Sequence, residues 1–257
     1  MQTLVYDGSF EGWLSTVFDV FEYKLTDVDI VSNAMQQNSL FGEVKTVVSD
    51  SIKGERVWTG LRKYLSSNAM KEIFKAFLSE QKGCENQLLA YARYAFQKKE
   101  SVEQDFTHPA VLYVSQTAKK VHREKHRMEA FVRFQQTNDG LFFATVEPDF
   151  NVLPLIRKHF ADRYADQRWL IYDKKRKYGL YYDLYKVDIV SVDMHEGESP
   201  KNAVSFTLDE KEELYQHLWQ QYFKSVNIAS RKNMKLHIRH MPLRYWKYLV
   251  EKQPLKL

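Results

Sequence analysis

Through the first hundred residues, apolar side chains recur mostly at intervals of three and four, the period of an amphipathic helix. Phe10, Trp13, Leu14, Val17, Phe18 and Phe21 fall at these spacings and predict one broad apolar helix face. A short β-prone run, residues 3–6, and the turn Asp7-Gly8-Ser9 precede it, so the chain opens as strand, turn and capped helix. A second β-prone run covers residues 44–48, and helical patterns are centred on residues 57–65, 69–78 and 88–96. Residues 1–104 are therefore expected to be mainly helical.

The polar stretch 97–105 is a candidate boundary, after which His108-Pro109 starts a helix running to about Met128, with proline at a favoured first-turn position. Residues 130–134 and 141–147 flank Thr137-Asn138-Asp139-Gly140, a hairpin signal because Asn, Asp and Gly tolerate positive φ. A helix over 152–164 follows Pro148, and residues 169–173, 178–183 and 187–192 read as strands. Residues 194–202, rich in Gly, Ser, Pro and charge, form the best linker candidate. Beyond it a helix is expected over 209–223, with Leu214, Leu218, Trp219, Tyr222 and Phe223 on one face, and a short one from Pro242 through Val250. The pattern predicts an α+β fold: a helical N-terminal part, an antiparallel sheet built from β-hairpins in the middle, and a helical C-terminal part. Residues 105–257 form the second part, either separate from the first or continuous with it.

Composition agrees with a folded chain: 44% of the 257 residues are hydrophobic and 28% charged, neither the signature of a disordered tail nor that of a membrane span. The opening residues show no basic region leading into an apolar run, and no stretch reaches the roughly 18 apolar residues of a spanning helix, so a cytoplasmic location is expected. The single cysteine, Cys84, cannot form an internal disulfide or hold an iron–sulfur cluster by itself, and it suits a reducing compartment.

Charge changes the picture more. The net charge is +5, but residues 225–257 carry eight Lys or Arg against one acid, Glu251, while the remainder carries 30 against 32. Such asymmetry suggests contact with a polyanion, or a solvated basic face. In Lys119-Lys120-Val121-His122-Arg123-Glu124-Lys125-His126-Arg127, helical spacing puts Lys119, Lys120, Arg123, His126 and Arg127 on one side. Val114, Ala118, Val121 and Met128 lie opposite. Cations held in register on a rigid helix can track phosphates. His122 and His126 have the spacing of two helical metal ligands, but Arg123 stands where a metalloprotease motif needs glutamate, and no metal is expected.

Lys174-Lys175-Arg176-Lys177 lies between two predicted strands and is expected to project at a hairpin tip, where it could enter a groove or simply keep a turn soluble. Arg231, Lys232, Lys235, His237, Arg239 and His240 precede Met241-Pro242-Leu243-Arg244-Tyr245-Trp246-Lys247. There cations interleave with aromatics that could stack on bases, although Tyr245 or Trp246 could equally anchor a core. For acid–base chemistry the candidates are Asp7, Glu11, Glu124, His122 and His126; helix capping is the competing role for Asp7 and Glu11. Phosphate-cradling glycine loops, a nucleophile elbow and a Cys-x-x-Cys pair are missing from the sequence.

Four blocks carry a resemblance over nearly the whole chain: Tyr6-Asp7-Gly8-Ser9-Phe10-Glu11-Gly12; His122-Arg123-Glu124-Lys125-His126-Arg127-Met128 with Phe131-Val132-Arg133-Phe134; His159-Phe160-Ala161-Asp162-Arg163; and Met241 to Lys247. Through them the chain resembles a bacterial family of DNA metabolism and DNA repair proteins that accompany a radical-SAM DNA modification or repair enzyme. A related domain resembles one fused elsewhere to uracil-DNA glycosylase-like modules. The resemblance implies an accessory protein that binds DNA and works with the radical-SAM enzyme, with the iron–sulfur cluster and SAM on that partner and no cofactor here. It supplies no catalytic residue. An enzyme acting on nucleic acid or a nucleotide, and a protein-interaction module whose basic patches meet an acidic surface, are the competing expectations.

Overall fold

The computed structural model describes residues 2–35, 43–191 and 234–253, together with positions 216, 218 and 221. The expected linker at 194–202, most of the expected helix at 209–223, and Arg231 and Lys232 lie outside the described residues. The chain is an α+β protein and divides into two compact units, Met1–His122 and Arg123–Leu257.

In the first unit, strand β1 (Gln2–Tyr6) runs between β2 (Val28–Ser32) and β3 (Glu43–Thr46), and both neighbours are parallel to it. The sequence pattern anticipates β1 and β3 but not β2. That strand reads Val-Asp-Ile-Val-Ser, and only Ile30 and Ser32 are buried. Its polar side is satisfied from outside the sheet, since Asn86 accepts from the Ile30 amide (2.9 Å) and donates to Asp29 (2.6 Å). A parallel sheet thus stands within the helical part, its strands brought together across helix α1 and the segment after β2 rather than by hairpins.

Around it pack α1 (Phe10–Glu22), α2 (Ser51–Arg62), α3 (Ser67–Phe77) and α4 (Cys84–Lys98). Each of the first three has its N-terminus capped by a side chain at the preceding residue, Ser9, Asp50 and Ser66. Phe10 ties three helices together. Its ring stacks on Trp13 (5.6 Å) and meets Trp58, Phe74 and Phe77 edge-on at 5.1–5.3 Å. Cys84 is buried in this core, where its thiol donates to the Ala76 carbonyl and burial pushes its pKa up to about 11.

Helix α5 (Pro109–Phe131) begins at the expected proline. Its predicted apolar face is real: Val114, Ala118, Val121 and Met128 are all buried. In the second unit the sheet order is β4 (Gln135–Gln136), β5 (Phe142–Val146), β6 (Trp169–Asp173), β7 (Tyr178–Tyr182) and β8 (Val187–Ser191). All its pairs are antiparallel except β5 with β6, which α6 (Leu153–Arg163) connects as a crossover. The strand expected over 130–134 is corrected. Helix α5 continues through Phe131, the Val132 amide still bonds to the Met128 carbonyl, and only two residues of β4 pair. Beyond α7 (Met234–His240), the helix expected from Pro242 is two 3-10 turns, Leu243–Tyr248 and Val250–Lys252. Among the described residues no helix is long and apolar enough to cross a membrane.

Candidate functional site

Two of the charged segments singled out in the sequence meet in the second unit, on one buried carboxylate. Glu124 sits three residues after Val121 and four before Met128, on the apolar stripe of α5, and is 1% exposed. Its Oε1 accepts from the Asp149 amide (2.9 Å) and the Tyr245 hydroxyl, and its Oε2 from Arg127 (3.2 Å) and Arg244 (3.3 Å). Arg244 also pairs with Asp149 at 2.6 Å. Burial, then the Glu124 carboxylate, drive the Tyr245 phenol far above its ordinary pKa. Tyr245 is a core residue, packed against Phe131. Four donors occupy Glu124, so what the sequence offers as a candidate acid or base is a structural hub.

Other candidates are similarly engaged. Arg176 does not project from the β6–β7 turn. Its side chain is 9% exposed and folds back onto Asp173 (2.8 Å) and the Pro148 and Asp149 carbonyls, because Asp173, fully buried at the end of β6, requires a cation. Lys175 reaches the Asp149 carbonyl, and Lys174 is exposed beside it. Lys247 pairs with Glu147, while the Trp246 indole donates to the Met241 carbonyl and lies under Lys252.

On α5, Lys119, Lys120 and His122, at the end of the first unit, are exposed, as are Arg123 and His126 at the start of the second. His126 turns Nδ1 to Glu129 (3.1 Å), and Lys119, Lys120 and Arg123 have no ion-pair partner among the described residues. No group of three or more His, Cys, Asp or Glu side chains among the described residues is placed to hold a metal ion.

Asp7 and Glu11 belong to the first unit, Glu11 exposed in the first turn of α1. Asp7 accepts from the Ser9 amide and hydroxyl and from Ser49, tying the end of β1 to the segments that open α1 and α2. Burial works to raise its pKa, but the Ser49 and Ser9 hydroxyls outweigh it and hold the carboxyl below its ordinary value. A Cβ on Gly12 would stand 2.2 Å from Asp7 Oδ1 and 2.7 Å from Ser49 Oγ, so this corner requires glycine there.

A cavity of about 830 Å³ opens in the second unit, among residues of two blocks noted in the sequence but not there assigned a role. Phe134, Phe142 and Tyr164 supply its aromatic walls. Phe134 is fixed edge-on against Tyr164 (5.2 Å) and Phe160 (5.8 Å) and tilted on Trp169 (6.3 Å). Phe142 lies directly across the β4–β5 ladder from Gln136, so an amide stands beside a ring on one sheet face. Gln167 and Gln216 add further amides. Two guanidinium groups reach the cavity, and they differ. Arg133 is engaged by Glu251 (2.8 Å) and the Ala130 carbonyl, whereas Arg163, at the end of α6, is exposed and has no ion-pair partner among the described residues. His159 also lines the cavity, with Nδ1 3.8 Å from Glu129. Only the chemistry of Arg133-Phe134 and His159…Arg163 hinted at this place, since α5, α6 and β5 bring them together over distances invisible to local patterns.

Fold and site define an α+β protein whose second unit carries an open aromatic cavity edged by arginine. The chain belongs to the family described as a domain of unknown function, DUF4130, whose model matches residues 82–251. A search of curated proteins returned no match. Among solved structures the chain is similar to a pGpG-specific phosphodiesterase, PggH, of Vibrio cholerae, at 10% identity and a TM-score of 0.31, over 70% of this chain and 80% of that one.

Proposed function

We propose that this protein binds nucleic acid as an accessory of DNA metabolism or repair, and that the second unit makes the contact. The observation that carries this reading is the guanidinium of Arg163, without an ion-pair partner among the described residues and 5.8 Å from the Tyr164 ring, at the edge of a cavity walled by Phe134, Phe142 and Tyr164. A cation beside aromatic faces suits a strand that offers a phosphate and a base together. The exposed Arg123 adds charge to the same unit. The sequence resemblance supports the further step that the partner is a radical-SAM DNA modification or repair enzyme in the cytoplasm, which would bring the iron–sulfur cluster and SAM.

The test is fluorescence polarisation of labelled single-stranded and duplex DNA across a salt series, with Arg163→Ala and Arg123→Ala beside the parent. Arg127 is a poor choice, because it holds Glu124. Binding is expected to weaken with salt, and each substitution to lower the slope of log K against log salt by about one contact, roughly 0.7 to 0.9. Absence of binding at low salt would refute the reading.

A further inference from the structure

Three polar groups of the cavity allow a narrower assignment, which rests on the nucleic-acid reading above. Three of its residues follow one another closely at the end of α6: Arg163, Tyr164 and Gln167. The guanidinium of Arg163, the hydroxyl of Tyr164 and the half-buried amide of Gln167 make no hydrogen bond or ion pair among the described residues. The Gln167 amide keeps access to solvent, so it can meet a ligand without giving up a bond of the fold. Beside Tyr164 stands Phe134, whose ring packs against Tyr164, Phe160 and Trp169 while remaining half-exposed in the cavity. A platform packed in this way stacks on a flat ring with little entropic cost.

From these observations we infer that the cavity takes a single unstacked nucleotide: its base against Phe134, its polar edge on the Gln167 amide, its phosphate on Arg163. Amides can satisfy a base edge because each carries donors and an acceptor side by side, as a base does. The cavity's volume of about 830 Å³ lies within the range of small-molecule sites and is too small for a duplex, so a base within DNA leaves its stack to enter. Nothing in this assignment requires a reaction; the site holds and reads one nucleotide.

Calorimetric titration of the full chain with each of the four deoxynucleoside monophosphates and with 2-deoxyribose 5-phosphate is the first arm. Polarisation binding of an oligonucleotide with and without one central abasic site is the second. Both use the parent, Gln167→Ala and Phe134→Leu. Gln167 lies in the turn after α6, so its variant retains the fold even if the Phe134 variant does not. At least one monophosphate is expected to bind, with 2-deoxyribose 5-phosphate and the Gln167 variant each weaker by about tenfold. Should the oligonucleotide bind equally with and without its abasic site while no monophosphate binds, the nucleotide pocket is overturned and strand binding stands. Monophosphate binding without oligonucleotide binding supports the pocket and removes the strand reading. Failure of both arms removes both.

Discussion

Glu124 shows how the role of one residue depends on partners far away in sequence. Its spacing from Val121 and Met128 already places it on the buried side of α5, and a carboxylate on an apolar stripe is a signal of pairing. Tyr245 and Arg244, 121 and 120 positions later, are the partners no local pattern could name. Replacing Glu124 with Gln preserves shape but leaves Arg127 and Arg244 without that charge. Urea unfolding is expected to show a loss of about 2 kcal/mol, the scale of a charge-assisted hydrogen bond. Gly12 carries the opposite lesson, a residue whose importance lies in having no side chain. Gly12→Ala is expected to cost about 1 to 3 kcal/mol in the same assay, because the new methyl must displace the Asp7 carboxylate from its serines.

Among the elements, helices with strong apolar periodicity and strands beside clear turns were legible: α1, α3 to α6, β1, β3 and β5 to β8 lie where the pattern places them, within a few residues, while α2 starts six residues before the pattern at 57–65, at its Asp50 cap. β2 was not, although its five residues, Val-Asp-Ile-Val-Ser, are also those of β8: β8 follows two strands and their turns, whereas β2 stands alone after a helix with no hairpin partner beside it. The β6–β7 turn was legible as a turn but not in its direction. Burial raises the pKa of Asp173, and Arg176 is drawn inward to meet that carboxylate. Arg176→Ala therefore removes the main cation beside a buried acid. The expected result is a stability loss of about 2 to 3 kcal/mol with the salt slope of DNA binding unchanged, a combination that unfolding and polarisation measurements can separate from a phosphate contact. A fall in that slope by one contact would show instead that Arg176 leaves Asp173 to meet DNA.

Over the whole molecule, carboxylates set the response to acid. Asp7 and Asp105 in the first unit, and Asp139, Glu147 and Asp183 in the second, are held below their ordinary pKa values. For Glu147 the cause is Lys247, then Tyr248. The folded chain binds fewer protons at these groups than the unfolded one. Their stabilisation is thus complete above the ordinary range, about pH 4 to 5, and is lost as pH falls through the lowered values. The melting temperature is expected to drop with acid, and the deficit of Glu147→Gln against the parent, present at about pH 7, to close by about pH 2. A deficit unchanged at low pH would mean that Glu147 acts through packing and not charge. The Glu124 hub bears on synthesis as well. The ribosome makes α5 long before it makes the turn carrying Arg244 and Tyr245, and Arg133 likewise precedes Glu251 by 118 positions. Through that interval the nascent second unit holds an acid whose phenol and guanidinium have not yet been made. Its closure therefore waits for the last of these residues to emerge, and the half-made unit is a stretch of chain for chaperones to shelter.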